Sequence, residues 1–349
     1  MMDQRSVELD RLAPAVVTML RVNLGLGPGE SVLVLTDVPS AAELARLDPA
    51  ATEDFLGRIV LARAVAAIAA REFGADRVEY HPYPSVGQHG TEVPPEVARR
   101  MAATAVTVAL TTYSLTHTEA TAAAAAAGRR IASMPGITAA MFASDGPMAV
   151  DYEAVRRDTR RFADLLTEAS EVRVVCPAGT DLTFSLAGRQ GGADDGFLAS
   201  PGSWGNLPAG EAFAAPVEGT ARGRLVVRRG WYPGLDEDMT LVFEGGEVRE
   251  IKGGGAVGRS FAERLRLDAP EAAERHRRNC AEIGIGTNPN ARVPDNVLEA
   301  EKIKGTVHIA IGDSSHMGGR TVSDLHEDFV VPEPDVFFDG RPVIRRGRW

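Results

Sequence analysis

Residues 25–37 read GLGPGESVLVLTD, a turn followed by an apolar run, and this stretch decides the fold class. Gly27-Pro28-Gly29-Glu30 has the composition of a turn. The run SVLVLT after it has the look of a strand buried on both faces, because it is continuously apolar rather than alternating. Upstream, an amphipathic helix is predicted from about Val7 to Val22, which makes an opening α-β unit. Residues 37–52, with Pro39 and Pro49 among small and acidic residues, read as a loop. A helix follows from about Glu53 to Phe73, closed by Gly74. RVEYHPY reads as a strand, Pro94-Pro95 opens a helix, and AVTVAL is again β-rich. The alanine tract from Thr118 to Gly128 reads as a helix, since alanine is the best helix former and Gly128 stands where a C′ residue belongs. The strand RIASM and a helix from about Asp151 to Ala169 continue the pattern. Alternation of strand and helix over about 165 residues predicts a mostly parallel sheet covered on both faces, a doubly wound α/β domain.

Beyond Glu171 the texture changes to short strands separated by Gly and Pro: VRVVC, DLTFSL, GRLVV, MTLVF, EVREIK, TVHIAIG and a hairpin about Asp339-Gly340. Helices are predicted near Ser260–Arg277 and Asn296–Lys304. The expected division is therefore an α/β domain over 1–168 and a β-rich α+β metal-binding domain over 169–349; two domains are also the prior for a chain of 349 residues.

A net charge of −10 argues against nucleic acid or an anionic membrane surface as partner. Cys176 and Cys280 are the two cysteines, far apart and outside any CxxC pattern, so neither a disulfide framework nor a thiolate zinc site is indicated. There is no basic-then-apolar leader and no run of about 18 apolar residues, so a soluble, cytoplasmic protein is expected. The first strand is not followed by GxGxxG, and GxxxxGK[ST] is absent, which disfavours dinucleotide and nucleotide phosphate sites.

The chemistry-bearing residues gather late in the chain. Residues 280–331 hold Glu282, His308, His316, His326 and Asp328, and three of the seven histidines. Imidazole nitrogen and carboxylate oxygen together suit divalent transition metals. His326-Glu327-Asp328 suits an extended segment, in which residues two apart share a face and can grip one ion while Glu327 points away.

NLPAGEAFAAPVEGTARG, AEIGIGTNPNA, LEAEKIKGTVHIAIGD and HED resemble the aminopeptidase T family of metallopeptidases, and GLGPGESVLVLTD, SLTHTEA and RIASMPGIT resemble its shorter members. The resemblance covers nearly the whole chain. It implies a two-domain homodimer enclosing a cavity, and a pair of divalent ions (zinc, cobalt or manganese) held by two glutamates, two histidines, a tyrosine and an aspartate. Block by block these positions fall on Glu211, Glu282, His308, His326 and Asp328. The tyrosine is missing: its place is Ser315, followed by His316, which is the candidate substitute. The implied function is metal-dependent removal of N-terminal residues from peptides, with Glu211 or Glu282 moving the proton between water and the leaving amine.

The same fold family also resembles iron-dependent dioxygenases that open dihydroxypyridine rings, which use two histidines and one carboxylate on a single Fe(II). His326 and Asp328 would then join His276, His308 or His316. His276 lies among Arg275, Arg277 and Arg278, where a surface role is expected. A homologue with an impaired site that only binds its ligand is a third reading. His81, His89 and His117 receive no role.

Overall fold

A computed structural model describes residues 4–269 and 273–349. The chain forms two compact units, Met1–Tyr152 with Gly196–Ala209, and Glu153–Asp195 with Gly210–Trp349. The expected division at 168/169 kept the helix Tyr152–Glu168 with the N-terminal half, whereas all of it beyond Tyr152 falls in the second unit.

The first unit is built on a five-stranded parallel sheet in the order Val78–Pro84, Val32–Val38, Val106–Ala109, Arg130–Ser133, Trp204–Asn206. Its second-place strand, Val32–Val38, is buried at every position but the last, as its unbroken apolar run requires. The helix placed from Glu53 starts four residues earlier, at Pro49. Asp48 accepts a hydrogen bond from the Ala51 amide at 2.8 Å and Pro49 takes the first helical position, so the cap and the proline set the start. The residues read as a loop also hold a one-turn helix, Ala41–Leu44, closed by a Ser40/Glu43 capping box. The alanine tract is helical over Glu119–Ala126, with Thr118 as its N-cap.

Arg130 anchors the turn before the Val32–Val38 strand. It donates to the Leu24 and Gly25 carbonyls at 2.8 Å each and pairs with Glu30 at 2.6 Å. The hydrogen bond from Arg130 holds the Glu30 carboxyl below its usual range. A depressed carboxyl contributes stability above its unfolded pKa, about 4.3, and loses it as pH falls through the folded value. Glu30→Gln should thus melt below the parent at pH 7, and the gap should close in melts recorded at progressively lower pH below about 4. A gap that persists unchanged into acid would remove the ion pair from the account.

The second unit carries two antiparallel sheets. One runs Glu247–Gly253, Met239–Glu244, Arg222–Val227, Asp181–Ser185, Glu171–Val175, Asp335–Phe338, Arg341–Ile344; the other runs His326–Val331, Val307–Gly312, Cys280–Gly286, Glu211–Ala214, Gly192–Asp194. Their apolar faces share one core that includes Val172, Leu182, Phe184, Leu241, Ile283, Ile309 and Phe329. At the predicted hairpin Asp339 and Gly340 take φ of 49° and 75°, the positive pair that a two-residue turn of this hand needs.

Both helices predicted in this half are shorter than expected. The first is helical over Gly255–Arg264 and ends where Arg266 turns to φ 50°, and Ala273–Arg278 forms a separate 3-10 stretch; its segment 270–272 lies outside the described residues. Near Asn296–Lys304 only Val297–Ala300 is helical. The strands Gly192–Asp194, Trp204–Asn206, Glu211–Ala214 and Cys280–Gly286 went unread, because their glycines and short lengths dilute the strand signal. Among the described residues no helix is long and apolar enough to cross a membrane.

Candidate metal centre

Period-two alternation sorts the last sheet into two faces. Ile283, Ile285, Ile309, Ile311, Phe329 and Val331 point into the shared core, so the residues between them share the opposite face. The pairing then aligns Glu282 with Ala310 and Asp328, Gly284 with His308, Gly286 with Glu211, and Gly312 with His326. On one side each functional side chain is thus opposed by glycine, or by alanine with another functional side chain beyond it; on the other, Val330 stands beside His308 and Asp194 beside Glu211. The reason is steric: a Cβ on Gly284 would lie 2.0 Å from two atoms of the His308 ring. The blocks EIGIG and HIAIG therefore encode a floor of small residues on which the polar groups rest.

Gly284→Ala should drive His308 from its place, since neither the ring nor the strand backbone has room to yield. An overpacked site of this kind costs about 1–3 kcal/mol. A lower melting temperature together with loss of bound divalent ion, read by calorimetry and elemental analysis, is the expected outcome. Unchanged metal content would show that His308 can relocate without cost.

On that floor His308 Nε2 is 3.5 Å from Glu211 Oε2, 3.5 Å from Glu282 Oε1 and 4.0 Å from Asp328 Oδ1. His326 Nε2 is 3.2 Å from Glu282 Oε2 and 3.7 Å from Asp328 Oδ1. Glu282, His308 and Asp328 can each offer one ligand atom with all three within 4.8 Å of one another. Glu211 Oε2, His308 Nδ1 and Asp328 Oδ1 are buried with no hydrogen-bond partner. Buried polar atoms without partners are costly, and two oxygens left so beside imidazole nitrogens form a donor set that fits one divalent cation.

The electrostatics agree with the geometry. Burial would raise the Glu282 carboxyl, but hydrogen bonds from His308 and His326 hold it far below the usual range. Burial would likewise lower His308, yet Glu282, Glu211 and Asp328 push it up to about 9, and His326 is also raised. A cluster that favours positive charge on its own histidines has electrostatics that suit a cation.

Several residues passed over in the sequence complete the surroundings. The Asp313 carbonyl lies 2.8 Å from His326 Nδ1, which turns Nε2 toward the carboxylates. The Asp313 side chain lies 2.8 Å from His316 Nδ1 and accepts from Ser315. Lys302 is almost fully buried, with Nζ 2.6 Å from Glu211, 3.0 Å from Glu301 and 3.7 Å from Asp194. Burial pushes Glu301 up to about 8 and Asp194 up to about 7 against the pull of Lys302. The signal for Lys302 was its place in EAEKIKG, where two glutamates and two lysines read as a solvated charge run until the fold buries Lys302.

Five of the six sequence candidates converge: Glu211, Glu282, His308, His326 and Asp328. His316 is held by Asp313, with its ring centroid 5.2 Å from that of His326. His276 lies on the 3-10 stretch, 3.8 Å from Asp324, and has no part in the centre. Glu327 faces away as expected, accepting from Tyr232 at 2.6 Å and pairing with Arg264 at 3.3 Å.

Comparison with known proteins bears on the chemistry. The family model NicX: 2,5-dihydroxypyridine 5,6-dioxygenase matches residues 14–349. The curated 2,5-dihydroxypyridine 5,6-dioxygenase of Pseudomonas putida KT2440 is 26% identical over 202 residues, 52% of this chain. That match spans 55% of the relative's length. Among solved structures, the 2,5-dihydroxypyridine dioxygenase of Pseudomonas putida KT2440 superposes with a TM-score of 0.70 at 19% identity, covering 99% of this chain and 97% of that one. Wild-type AmpT from Thermus thermophilus superposes with a TM-score of 0.63 at 19% identity, covering 97% and 99%. These two likenesses establish the mixed α/β fold, and the tie to aminopeptidase T holds at that level only. The family match overturns the expected hydrolase, and the aminopeptidase, metallopeptidase and protease readings fall with it. The blocks that suggested a peptidase are the strands and small-residue floor of a shared fold, and they do not specify the reaction.

Proposed function

We propose, on the premise that the chain belongs to the 2,5-dihydroxypyridine 5,6-dioxygenase family, that it opens the ring of a dihydroxylated pyridine with dioxygen at a single ferrous ion. Both oxygen atoms enter the product, and the bond between two adjacent ring carbons breaks. The observation that carries this reading is the convergence of Glu282, His308, His326 and Asp328 on one sheet face, with buried oxygen and nitrogen atoms left unpartnered among them. Histidine with carboxylate on one ion is the ligand type of non-haem iron oxygenases.

In this reading Glu282, His308, His326 and Asp328 would hold the ion, which would supply an electron path between an electron-rich ring and dioxygen. Asp313 fixes the ring orientation of His326 through its carbonyl. Glu211 is turned so that Oε2 faces His308, and takes the proton from a substrate hydroxyl. Its other oxygen is fixed by Lys302, so the accepting atom is aimed before substrate arrives.

Oxygen uptake by anaerobically iron-loaded protein on addition of 2,5-dihydroxypyridine tests the proposal. Uptake in step with substrate loss, abolished by a chelator and restored by ferrous ion alone, is expected. Release of amino acids from unblocked peptides without oxygen uptake would refute it.

A further inference from the structure

We infer that the Lys302 ammonium stands where a second cation would otherwise sit, so that the centre takes one metal ion and no more. The inference deepens the single-ion reading above and rests on it. Three carboxylates reach Nζ from separate segments: Asp194 from the strand Gly192–Asp194, Glu211 from the strand Glu211–Ala214, and Glu301 from the residue after the short helix Val297–Ala300. Asp194 and Glu211 are paired across their two strands, so the enclosure is built into the sheet register. An enclosure of carboxylate oxygens is what hard divalent cations take up. Here it closes on a side-chain cation that is 1% exposed.

Glu211 links the two positions. Its Oε1 lies 2.6 Å from Lys302 Nζ and its Oε2 3.5 Å from His308 Nε2. Glu211 thus stands between the two positions, and the one beside its Oε1 is filled by an ammonium tethered to the backbone. A buried ammonium is costly unless its partners compensate it, and an apolar side chain of similar volume would fill the space without that cost. The charge itself is therefore what the site uses. A further divalent ion at the same carboxylates would meet the ammonium at close range and lose the oxygens it needs.

Counting bound ions without substrate tests the inference. Metal-free wild type, Lys302→Ala and Lys302→Arg are titrated with Mn2+, and bound and free ion are separated by electron paramagnetic resonance. Wild type and Lys302→Arg should saturate at one ion per chain. Lys302→Ala should take up a second, with the signal of an isolated bound ion replaced by the broadened signal of two neighbouring ions. Wild type saturating at two, or folded Lys302→Ala saturating at one, would overturn the inference. If Lys302→Ala does not fold, Lys302→Gln, which keeps the length and offers an amide oxygen, is counted instead under the same two outcomes. The count separates this inference from the ring-opening proposal: one ion without oxygen uptake would sink the reaction and leave Lys302 its role, and two ions with uptake would do the reverse.

Discussion

Glu282→Gln should strip the centre of its ion and abolish oxygen uptake. Glu282 touches both histidines, with Oε1 3.5 Å from His308 Nε2 and Oε2 3.2 Å from His326 Nε2, closer than Asp328, which spans the same pair at 4.0 Å and 3.7 Å. Glutamine keeps the shape, but it removes the negative charge that sets the histidines and replaces one oxygen by a nitrogen that cannot bind a cation. Loss of a partner that only orients a ligand costs about 10–100-fold in affinity, and loss of a ligand should exceed that range. The expected result is a metal dissociation constant raised by more than about 100-fold, with the fold kept, because the change is isosteric and the apolar face beneath is untouched. Near-normal metal content in the variant would move the ligand role to Asp328 and Glu211.

The second large effect separates two histidines that the sequence alone left in competition. His308→Ala should empty the centre, since His308 Nε2 is within 4.0 Å of Glu211, Glu282 and Asp328, and its removal leaves these buried carboxylates without their shared partner. Breaking a buried charged set costs about 3–5 kcal/mol, so the melting temperature should fall along with metal content. His276→Ala should shift stability by no more than about 0.5 kcal/mol and leave metal content unchanged, as expected for a surface residue. Elemental analysis and melting of the two variants side by side decide the matter. The opposite ranking would place the ion near the 3-10 stretch Ala273–Arg278.

Four of the five strands of the parallel sheet were legible, Val32–Val38 and Val106–Ala109 as apolar runs, and its helices carry ordinary punctuation, as at Gly74, Pro95 and Gly128; Trp204–Asn206 was not. The second unit was less so. Glu211–Ala214 and Cys280–Gly286 alternate small and functional residues, and small residues carry little strand signal, although the same alternation builds the floor under the centre. The His-x-Asp spacing read correctly onto one face, because period two is fixed by the backbone. Distances between strands are not written in spacing, so Lys302 and Asp313 were passed over, while His316 was chosen as the substitute for the tyrosine that the aminopeptidase T resemblance implied. The hydrolase reading went wrong for a related reason: the blocks that resemble aminopeptidase T build a fold that this chain shares with both solved structures.

The most direct test of ring opening at this centre is the fate of dioxygen. Protein loaded anaerobically with ferrous ion is given 2,5-dihydroxypyridine under oxygen-18 gas, and the product is weighed by mass spectrometry. The account predicts a ring-opened product carrying both labelled atoms from a single oxygen molecule, and none from the Glu282→Gln variant. A product with one labelled atom, or one whose new oxygen comes from water, would contradict it.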